Sequence, residues 1–193
     1  MKVIVIFGGA FNPPTIAHKE IYYHVLKFIP FTEFVFLPVS SLYTKRSLAS
    51  NFHRLQMLNL LIKDLPNSSI STLEFDDSDY IGTYQSLLRI QEKYPNQELS
   101  FIIGADNLIK IHKWINAKAL LTDFKFIVIN RSLTDMKNYI QNDLFLKEYS
   151  SRFVLLPDFN LDISSTAFRE TFDQKIVTKE IYQYIQIQGL YRG

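Results

Sequence analysis

The sequence predicts an α/β protein with a doubly wound parallel sheet, in a single domain over residues 1–193. Short apolar segments rich in β-branched residues alternate with segments whose apolar residues recur at helical spacing. This order favours a parallel sheet with right-handed crossovers. A chain of 193 residues, 47% of them hydrophobic, can bury a substantial core. The sequence has no internal repeat and no linker-like change in composition, which favours one domain.

In the first part of the chain, the sequence predicts one strand before a helix and a second strand after it. The continuous apolar residues 3–7 are typical of a strand buried on both faces, and a loop rich in Gly and Pro follows at 8–14. A helix is predicted over residues 18–29, where Pro30 ends it. The apolar residues 34–37 predict the second strand.

The middle of the chain predicts two capped helices and a short strand. Asn51 is the predicted N-cap of a helix whose apolar residues recur at helical spacing as far as Leu65. The short strand is predicted at 70–75. Thr83 is the predicted N-cap of the next helix, which runs to Tyr94 and ends before a proline.

The last part of the chain continues the alternation. The predicted strands, each a run of apolar residues, cover 99–103, 125–129 and 153–156. The predicted helices cover 108–115, 117–121 and 136–149, with two more after Ser164. Because ligands bind beyond the carboxyl ends of the strands in such a sheet, the loops that follow the strands are the candidate sites.

Composition and charge restrict the classes of function. The net charge of +2 provides no general surface for polyanions, so we expect no nucleic-acid partner. The absence of cysteine excludes disulfides, thiolate catalysis and cysteine-based zinc sites. No apolar segment approaches the roughly 18 residues that span a membrane, and the apolar run before Gly8 is too short for a signal peptide. We therefore expect a cytoplasmic protein with no membrane partner.

The loop after the first predicted strand, GGAFNPPTIAH from Gly8 to His18, has the chemistry of a phosphate cradle. Two glycines let the backbone approach a ligand closely and offer N–H groups to phosphate oxygens. Thr15 and His18 lie three residues apart at a helix start and share one face. The alternative is a tight turn in which His18 only packs. The loop lacks the G-x-G-x-x-G and G-K-[ST] patterns, which excludes the dehydrogenase fingerprint and the P-loop.

A second candidate segment, DISSTAFR, covers residues 162–169. Its hydroxyl residues at a predicted helix start provide caps and exposed amides. Arg169 lies one turn beyond Ser165 on the same helix, and its guanidinium could bind a phosphate through two hydrogen bonds. The alternative is an ordinary N-cap followed by a solvated arginine.

Together, the GGxFxPxxxxH loop and the ISSTxxR segment resemble the signatures of the nucleotidylyltransferase superfamily. Within it, the chain most resembles the bacterial nicotinate mononucleotide adenylyltransferase family. The segment FIIGAD at 101–106 with Trp114, the segment VINR at 128–131 and the end of the chain from Val177 to Tyr191 also match that family. The resemblance covers essentially the whole chain and implies a Rossmann-like nucleotidyltransferase fold.

The resemblance implies a reaction between ATP, as co-substrate, and a pyridine mononucleotide. The 5′-phosphate of the mononucleotide attacks the α-phosphorus of ATP, giving deamido-NAD or NAD, and pyrophosphate leaves with Mg²⁺. The attacking phosphate is already ionised at neutral pH, so positioning and charge stabilisation carry the catalysis. The metal is expected on phosphate oxygens and waters, with no protein ligand named.

The resemblance also assigns roles to individual residues. The catalytic residues it implies are His18, Thr15, Lys45 and Arg169. The implied contacts with ATP and its phosphates are Gly8, Gly9, Ala10, Phe11, Gly104, Asp106, Ser165 and Thr166. The implied contacts with the mononucleotide are Thr83, Tyr84, Trp114 and Arg131. From the sequence alone, Arg54 and Arg131 are interpreted as solvated side chains or as cations that steer anionic substrates.

Three residues depart from the family pattern, and two alternatives stay open. Thr15 stands where His is commoner, Ala17 where Gly is frequent, and Gln85 where Asp is common. One alternative is another small-substrate nucleotidyltransferase, such as a phosphopantetheine adenylyltransferase or a cytidylyltransferase. The other is a catalytically idle nucleotide-binding regulator. The preference for the acid or the amide mononucleotide stays open, as does the oligomeric state, where a homo-oligomer is one arrangement.

Overall fold

A computed structural model describes residues 2–42, 48–130, 135–156, 159, 161 and 163–192. The strands are β1 (Val3–Gly9), β2 (Glu33–Pro38), β3 (Ser68–Ile70), β4 (Glu98–Gly104), β5 (Lys125–Ile129) and β6 (Phe153–Leu155). They form one sheet in the order β3-β2-β1-β4-β5-β6. The pairs β1–β4, β4–β5 and β5–β6 are parallel, with Val3 opposite Glu98 and Phe126 opposite Phe153.

Helices connect the strands in chain order. They are α1 (Ile16–Phe28), α2 (Asn51–Ile62), α3 (Thr83–Lys93), α4 (Ala105–Leu108), α5 (Ala117–Asp123), α6 (Met136–Asn142), α7 (Leu144–Glu148), α8 (Ser165–Thr171) and α9 (Lys179–Gln188). Short 3₁₀ turns occur at Ile111–Lys113, Ser150–Arg152 and Gln174–Ile176. The prediction of a doubly wound α/β protein with a parallel sheet is confirmed.

Several predicted boundaries are wrong. β1 continues through Gly9, so the glycine pair belongs to the end of the strand, and the loop before α1 is shorter than predicted. The strand predicted at 70–75 is instead β3, which ends at Ile70. Beyond it the backbone turns, because the N–H of Phe75 donates to the carbonyl of Thr72 and that of Asp77 to the carbonyl of Glu74.

Both predicted N-caps differ by one residue. Ser50 caps α2, where its hydroxyl accepts a hydrogen bond from the N–H of His53, and Asn51 is the first helical residue. Gly82 occupies the N-cap position of α3 with φ of 90°, a conformation that favours glycine, and Thr83 follows as the first helical residue. A side-chain cap therefore forms only at the first of these two helices.

Two predicted helices are interrupted. The helix predicted over 108–115 is replaced by the end of α4 at Leu108 and the 3₁₀ turn Ile111–Lys113. The helix predicted over 136–149 is split at Asp143, whose carboxylate accepts hydrogen bonds from the N–H groups of Phe145 and Leu146. This carboxylate caps a new helix start, which explains why α6 and α7 are separate.

The chain divides into two compact units, of which the first comprises Met1–Phe7, Lys27–Phe34 and Ile81–Asn160. Aromatic rings on its neighbouring strands pack against each other. The ring centroid of Phe126 lies 6.2 Å from that of Phe101 and 6.0 Å from that of Phe153. These rings lie on β4, β5 and β6 and contribute to the core of this unit.

The second unit comprises Gly8–Leu26, Val35–Tyr80 and Leu161–Gly193. Its core is made of buried apolar side chains from α1, β2, α2 and α9, among them Ile21, Val25, Phe36, Met57, Leu58, Ile181 and Ile185. Both motifs that resemble the nucleotidylyltransferase signatures lie in this unit. The prediction of a single domain over residues 1–193 stays a prediction.

In the described part of the chain, no helix combines the length and the apolar character that crossing a membrane requires.

Candidate active site

The loop between β1 and α1 is buried at its centre. Phe11 has φ of 47°, in the left-handed region, which costs a non-glycine residue about 1–3 kcal/mol. Its ring centroid lies 5.0 Å from that of His18 and 5.8 Å from that of Phe36, in edge-on contacts. A Cβ atom on Gly9 would lie 3.2 Å from the Phe11 ring, so a residue without a side chain makes room for this packing.

Thr15 fixes the orientation of the His18 ring. The backbone N–H of Thr15 donates to Nδ1 of His18 at 2.8 Å, and the Thr15 hydroxyl lies 2.9 Å from the same nitrogen. A backbone N–H can only donate, so Nδ1 is an acceptor and the neutral ring carries its proton on Nε2. His18 is half-buried, and Nε2–H is the donor of its neutral ring.

The Thr15 side chain is fully buried, with 0% exposure. In this structure its hydroxyl contacts His18 and is not exposed to solvent. A direct contact between Thr15 and a phosphate stays a prediction. The contact that the structure describes is with the histidine.

The second motif forms the start of α8 and is bonded to the first. The Ser164 hydroxyl caps the helix by accepting the N–H of Ala167 at 3.0 Å. Ser165 donates from its hydroxyl to the carbonyl of Pro13 at 2.7 Å, across 152 residues of sequence. Arg169 donates from Nη1 to the carbonyl of Asn12 at 2.6 Å, across 157 residues. The two segments that the sequence predicts to work together are therefore in direct contact.

Arg169 retains donors beyond this contact. Its Nη2 donates to the Thr166 hydroxyl at 3.1 Å, and the residue as a whole is half-buried. A guanidinium carries five N–H groups, and the two bonds described here use two of them. The same side chain can thus hold the loop and bind an anion.

Gly104 and Asp106, predicted as nucleotide contacts, follow β4 in the first unit. Gly104 ends the strand and occupies the N-cap position of α4, with no cap bond from a side chain. Asp106 lies in the first turn of α4 and is exposed. The structure therefore places both residues at the carboxyl end of a parallel strand, as the sequence predicts.

Thr83, Tyr84 and Trp114, the predicted mononucleotide contacts, are half-buried in the first unit. The Tyr84 hydroxyl donates to Oδ2 of Asp123 at 2.8 Å, and this hydrogen bond raises the pKa of Tyr84. The Trp114 ring meets the Phe101 ring edge-on, with 6.4 Å between the centroids. The Trp114 side chain is thus only partly buried.

Comparison with known proteins identifies the family. The cytidylyltransferase-like family model matches residues 6–171. The protein named a probable nicotinate-nucleotide adenylyltransferase in Staphylococcus epidermidis is 34% identical over 197 residues, covering 98% of this chain and 97% of the relative. The chain belongs to the nicotinate-nucleotide adenylyltransferase family.

A second relative and a solved structure agree with this family membership. The nicotinate-nucleotide adenylyltransferase of Bacillus subtilis is 29% identical over 200 residues, covering 100% of both chains. The structure of the Plasmodium falciparum nicotinic acid mononucleotide adenylyltransferase complexed with NaAD matches with a TM-score of 0.81. At 23% identity it covers 99% of this chain and 98% of that chain, which shows the shared fold.

Two residues to which the family resemblance assigns roles lie outside the described residues. They are Lys45, a predicted catalytic residue, and Arg131, a predicted mononucleotide contact. Their roles stay predictions.

Three residues of this family member form hydrogen bonds that hold the loop before His18, although the sequence analysis gave none of them a role in the site. They are Asn12, Arg54 and Tyr191. Arg54 is fully buried, so its interpretation as a solvated or steering cation is wrong. One signal was available in the sequence, since Arg54 lies on the same helical face as Leu58 and Leu61, at i, i+4 and i+7.

Asn12 and Tyr191 leave no comparable trace in the sequence. The Tyr191 hydroxyl donates to Oδ1 of Asn12 at 2.9 Å, and the two residues are 179 positions apart. Burial raises the pKa of Tyr191, so the hydroxyl keeps its proton and remains a donor. Only the folded chain brings this pair together.

Proposed function

We propose that the chain transfers the adenylyl group of ATP to nicotinate mononucleotide, giving deamido-NAD and pyrophosphate. The observation that carries this proposal is the pair of hydrogen bonds from Ser165 and Arg169 to the loop that ends at His18. These bonds bring an imidazole N–H, a guanidinium and a helix start into one small part of the second unit. Such donors suit the oxygens of a polyphosphate.

The reaction requires charge stabilisation and no covalent intermediate on the protein. An oxygen of the mononucleotide 5′-phosphate forms a bond with the α-phosphorus of ATP. The bond from that phosphorus to the bridging oxygen breaks, and pyrophosphate leaves with the electron pair. Negative charge grows on the leaving oxygens, so preorganised donors lower the barrier.

In the proposal, His18 and Arg169 supply these donors. His18 donates from Nε2–H to an oxygen next to the α-phosphorus, because Thr15 occupies Nδ1. Arg169 uses its remaining N–H groups for the β- and γ-phosphates, together with the amides of Ser165 and Thr166 at the start of α8. Lys45 and the backbone of Gly8, Gly9, Ala10 and Phe11 are assigned to the same phosphates by the family resemblance.

Magnesium is assigned to the substrate phosphates. Within the described residues, no group of three or more His, Asp or Glu side chains is arranged to hold a metal ion. Mg²⁺ usually keeps several waters and binds through phosphate oxygens in such reactions, where it neutralises the charge of the leaving group. The proposal therefore gives the metal to pyrophosphate oxygens and waters.

The substrate-specific contacts are proposed in the first unit. Trp114 stacks on the pyridine ring, while Thr83, Tyr84 and Arg131 contact the mononucleotide. Gly104 and Asp106 contact the adenylate and its ribose. The half-burial of Trp114, with an edge-on contact to Phe101, supports a ring face that remains available to a ligand. The proposal includes a cytoplasmic location and small-molecule partners, without nucleic acid.

Pyrophosphate release tests the proposal. Purified protein is given ATP and Mg²⁺ with nicotinate mononucleotide, nicotinamide mononucleotide or phosphopantetheine, and an equal preparation of His18→Ala controls for contaminating activity. We expect rapid release with the pyridine mononucleotides, and their ratio of rates decides the acid or amide preference. Release with phosphopantetheine alone would replace the proposed substrate. ATP binding without release for any acceptor would favour the idle regulator.

A further inference from the structure

We propose that Arg54 is a positioning residue for the phosphate-binding loop and acts on His18 through the backbone of residues 10–12. The inference rests on the proposed function, since it names a further residue on which adenylyl transfer depends. Arg54 belongs to neither of the two sequence motifs. It lies on α2, in the second unit of the chain.

Burial excludes a surface role for Arg54. Its side chain has 0% exposure and is among the largest fully buried side chains of the described residues. Arginine is almost never fully buried unless its charge and its donors are satisfied by the protein. The guanidinium carbon also lies 5.4 Å from the centroid of the Phe75 ring, within the range of a cation–π contact.

Arg54 donates four hydrogen bonds, three of them to backbone carbonyl groups in separate parts of the chain and one to a side chain. Nη1 donates to the carbonyl of Ala10 at 2.8 Å, Nη2 to the carbonyl of Val39 at 2.6 Å, and Nε to the carbonyl of Ala49 at 3.1 Å. Nη2 also donates to Oδ1 of Asn51 at 2.6 Å. We call Arg54 and these three carbonyl groups the Arg54 clamp.

The clamp joins the chain just beyond two neighbouring strands. Ala10 directly follows β1, Val39 directly follows β2, and the N–H of Val39 donates to the carbonyl of Gly9 at 3.0 Å. Ala49 lies just before the cap of α2. A planar guanidinium with donors in fixed directions can hold three carbonyl oxygens at set positions, which a single ammonium group cannot do.

The clamp affects His18 through Phe11, which lies between Ala10 and Asn12 in the chain. Phe11 has a left-handed backbone and places its ring 5.0 Å from His18. A non-glycine residue keeps such a conformation only where its surroundings hold it. Arg54 holds Ala10, the residue before Phe11, and other hydrogen bonds hold Asn12, the residue after it.

Asn12 is bonded through both its side chain and its backbone. Its Oδ1 accepts the N–H of Ala49 at 2.9 Å and the hydroxyl of Tyr191 at 2.9 Å, while its carbonyl accepts Arg169. Ala49 therefore connects Arg54 with Asn12, since its carbonyl accepts from Arg54 and its N–H donates to Asn12. Weakening the clamp releases the carbonyls of Ala10 and Ala49 together, and thereby loosens one side of the loop that holds Phe11.

The first test is Arg54→Lys, which keeps the positive charge and removes the fork of donors. Kinetics are measured on protein whose folded fraction is known from thermal unfolding. We expect kcat to fall by about 10- to 100-fold, the scale of a small misplacement of a reacting group, with little change in the KM for nicotinate mononucleotide. We also expect the ¹⁵N signals of the His18 ring to shift, after their assignment by loss in His18→Ala.

Met57→Ala is the matched control. Met57 lies on the same helix and is fully buried, so its truncation destabilises the fold without removing a hydrogen bond of the clamp. Per folded molecule, its kcat and its His18 signals should equal those of the wild type. Changes in Met57→Ala as large as those in Arg54→Lys would reduce the role of Arg54 to general stability and overturn the proposal.

A second variant covers the case in which Arg54→Lys does not fold. Asn51→Ala removes one acceptor of Arg54, together with the hydrogen bonds of Asn51 to the N–H of Ser41 and the carbonyl of Phe75. We expect a kcat lowered by about 3- to 10-fold, with a His18 shift in the same direction. Wild-type kcat and wild-type His18 signals in whichever variant folds would overturn the proposal. The ring signals report on the clamp even without turnover, so absence of pyrophosphate release by the wild type would contradict the proposed function alone.

Discussion

The two candidate regions of the molecule are held by different kinds of contact. In the second unit, the phosphate region consists of residues 8–18 and 164–169 with Arg54, and side-chain donors there bond to backbone carbonyls. In the first unit, the proposed pyridine region consists of Thr83, Tyr84 and Trp114. Its aromatic rings meet edge-on, with centroids 6.1 Å apart for Tyr84 and Phe124 and 6.4 Å apart for Trp114 and Phe101.

This difference corresponds to two different demands of the proposed reaction. Stabilising charge on a reacting phosphorus requires donors in fixed directions, which hydrogen bonds to carbonyl groups can set. Accepting a flat apolar ring requires a surface of the right shape, which aromatic packing can supply. We therefore expect substitutions in the phosphate region to lower the rate, and substitutions in the pyridine region to weaken substrate binding.

The largest effect is expected for His18→Ala. Loss of the Nε2–H donor should lower kcat by about 10²–10³-fold, the scale for removal of one preorganised donor. His24→Ala, on the same helix α1, is the control and should retain its rate. A fully active His18→Ala variant would remove His18 from the mechanism and would show that the rate does not depend on this donor.

Trp114→Ala should have the next largest effect, on binding. Loss of a stacking ring should raise the KM for nicotinate mononucleotide by about 10- to 100-fold, with a much smaller change in the KM for ATP. Trp114→Phe retains a ring and should recover most of the affinity. Equal increases in both KM values would count against stacking on the pyridine.

Thr15→Val should have a moderate effect, of about 5-fold on kcat, because it removes a hydroxyl while it keeps the shape and the backbone N–H bonded to Nδ1. The ¹⁵N signals of His18 should still show the Nε2–H tautomer. Thr15→Ser, which retains the hydroxyl, is the control. A change of tautomer in Thr15→Val would show that the hydroxyl, and not the N–H, determines the proton position.

The smallest effect is expected away from both regions, at the ion pair between Lys63 and Glu180. Hydrogen bonds from the backbone and from Lys63 lower the pKa of Glu180 to about 2. A carboxyl whose pKa is lowered on folding stabilises the protein above its unfolded pKa and loses that contribution as the pH falls through the folded value.

Glu180→Gln should therefore lower the Tm slightly at neutral pH, and the difference from the wild type should narrow as the pH falls from about 4.5 towards 2. Its kcat and KM values should match those of the wild type. A loss of rate in this variant would show that the second unit responds as a whole, and the contrast between regions would then be weaker.

The features that are local in sequence were predictable. A buried apolar strand followed by glycines, and a Thr and a His one turn apart, both depend on neighbours a few residues away. The same holds for the order of strands and helices, which gives the fold class. Within the site, the joining of the two motifs was anticipated through the resemblance to a family in which they occur together.

The features that depend on distant neighbours were not predictable. The spacing of Arg54 with Leu58 and Leu61 indicates burial, but it does not reveal the hydrogen-bond partners of Arg54, among them Ala10, 44 residues away, and Val39, 15 residues away. The N-cap position of α3 is occupied by Gly82 and not by Thr83, because of a backbone conformation that propensity does not reveal. The break at Asp143 shows a capping side chain overriding a continuous helical pattern.

The order of the two units along the chain has a consequence for the exchange of segments between relatives. The segment Ile81–Asn160 is continuous and contains Thr83, Tyr84, Gly104, Asp106 and Trp114. The partners of every hydrogen bond described here between the two motifs, the Arg54 clamp and Tyr191 lie outside it. Under the proposed assignment of the acceptor contacts, a chimera with its junctions at these two positions would carry a relative's acceptor preference into this chain and leave the hydrogen bonds around His18 intact.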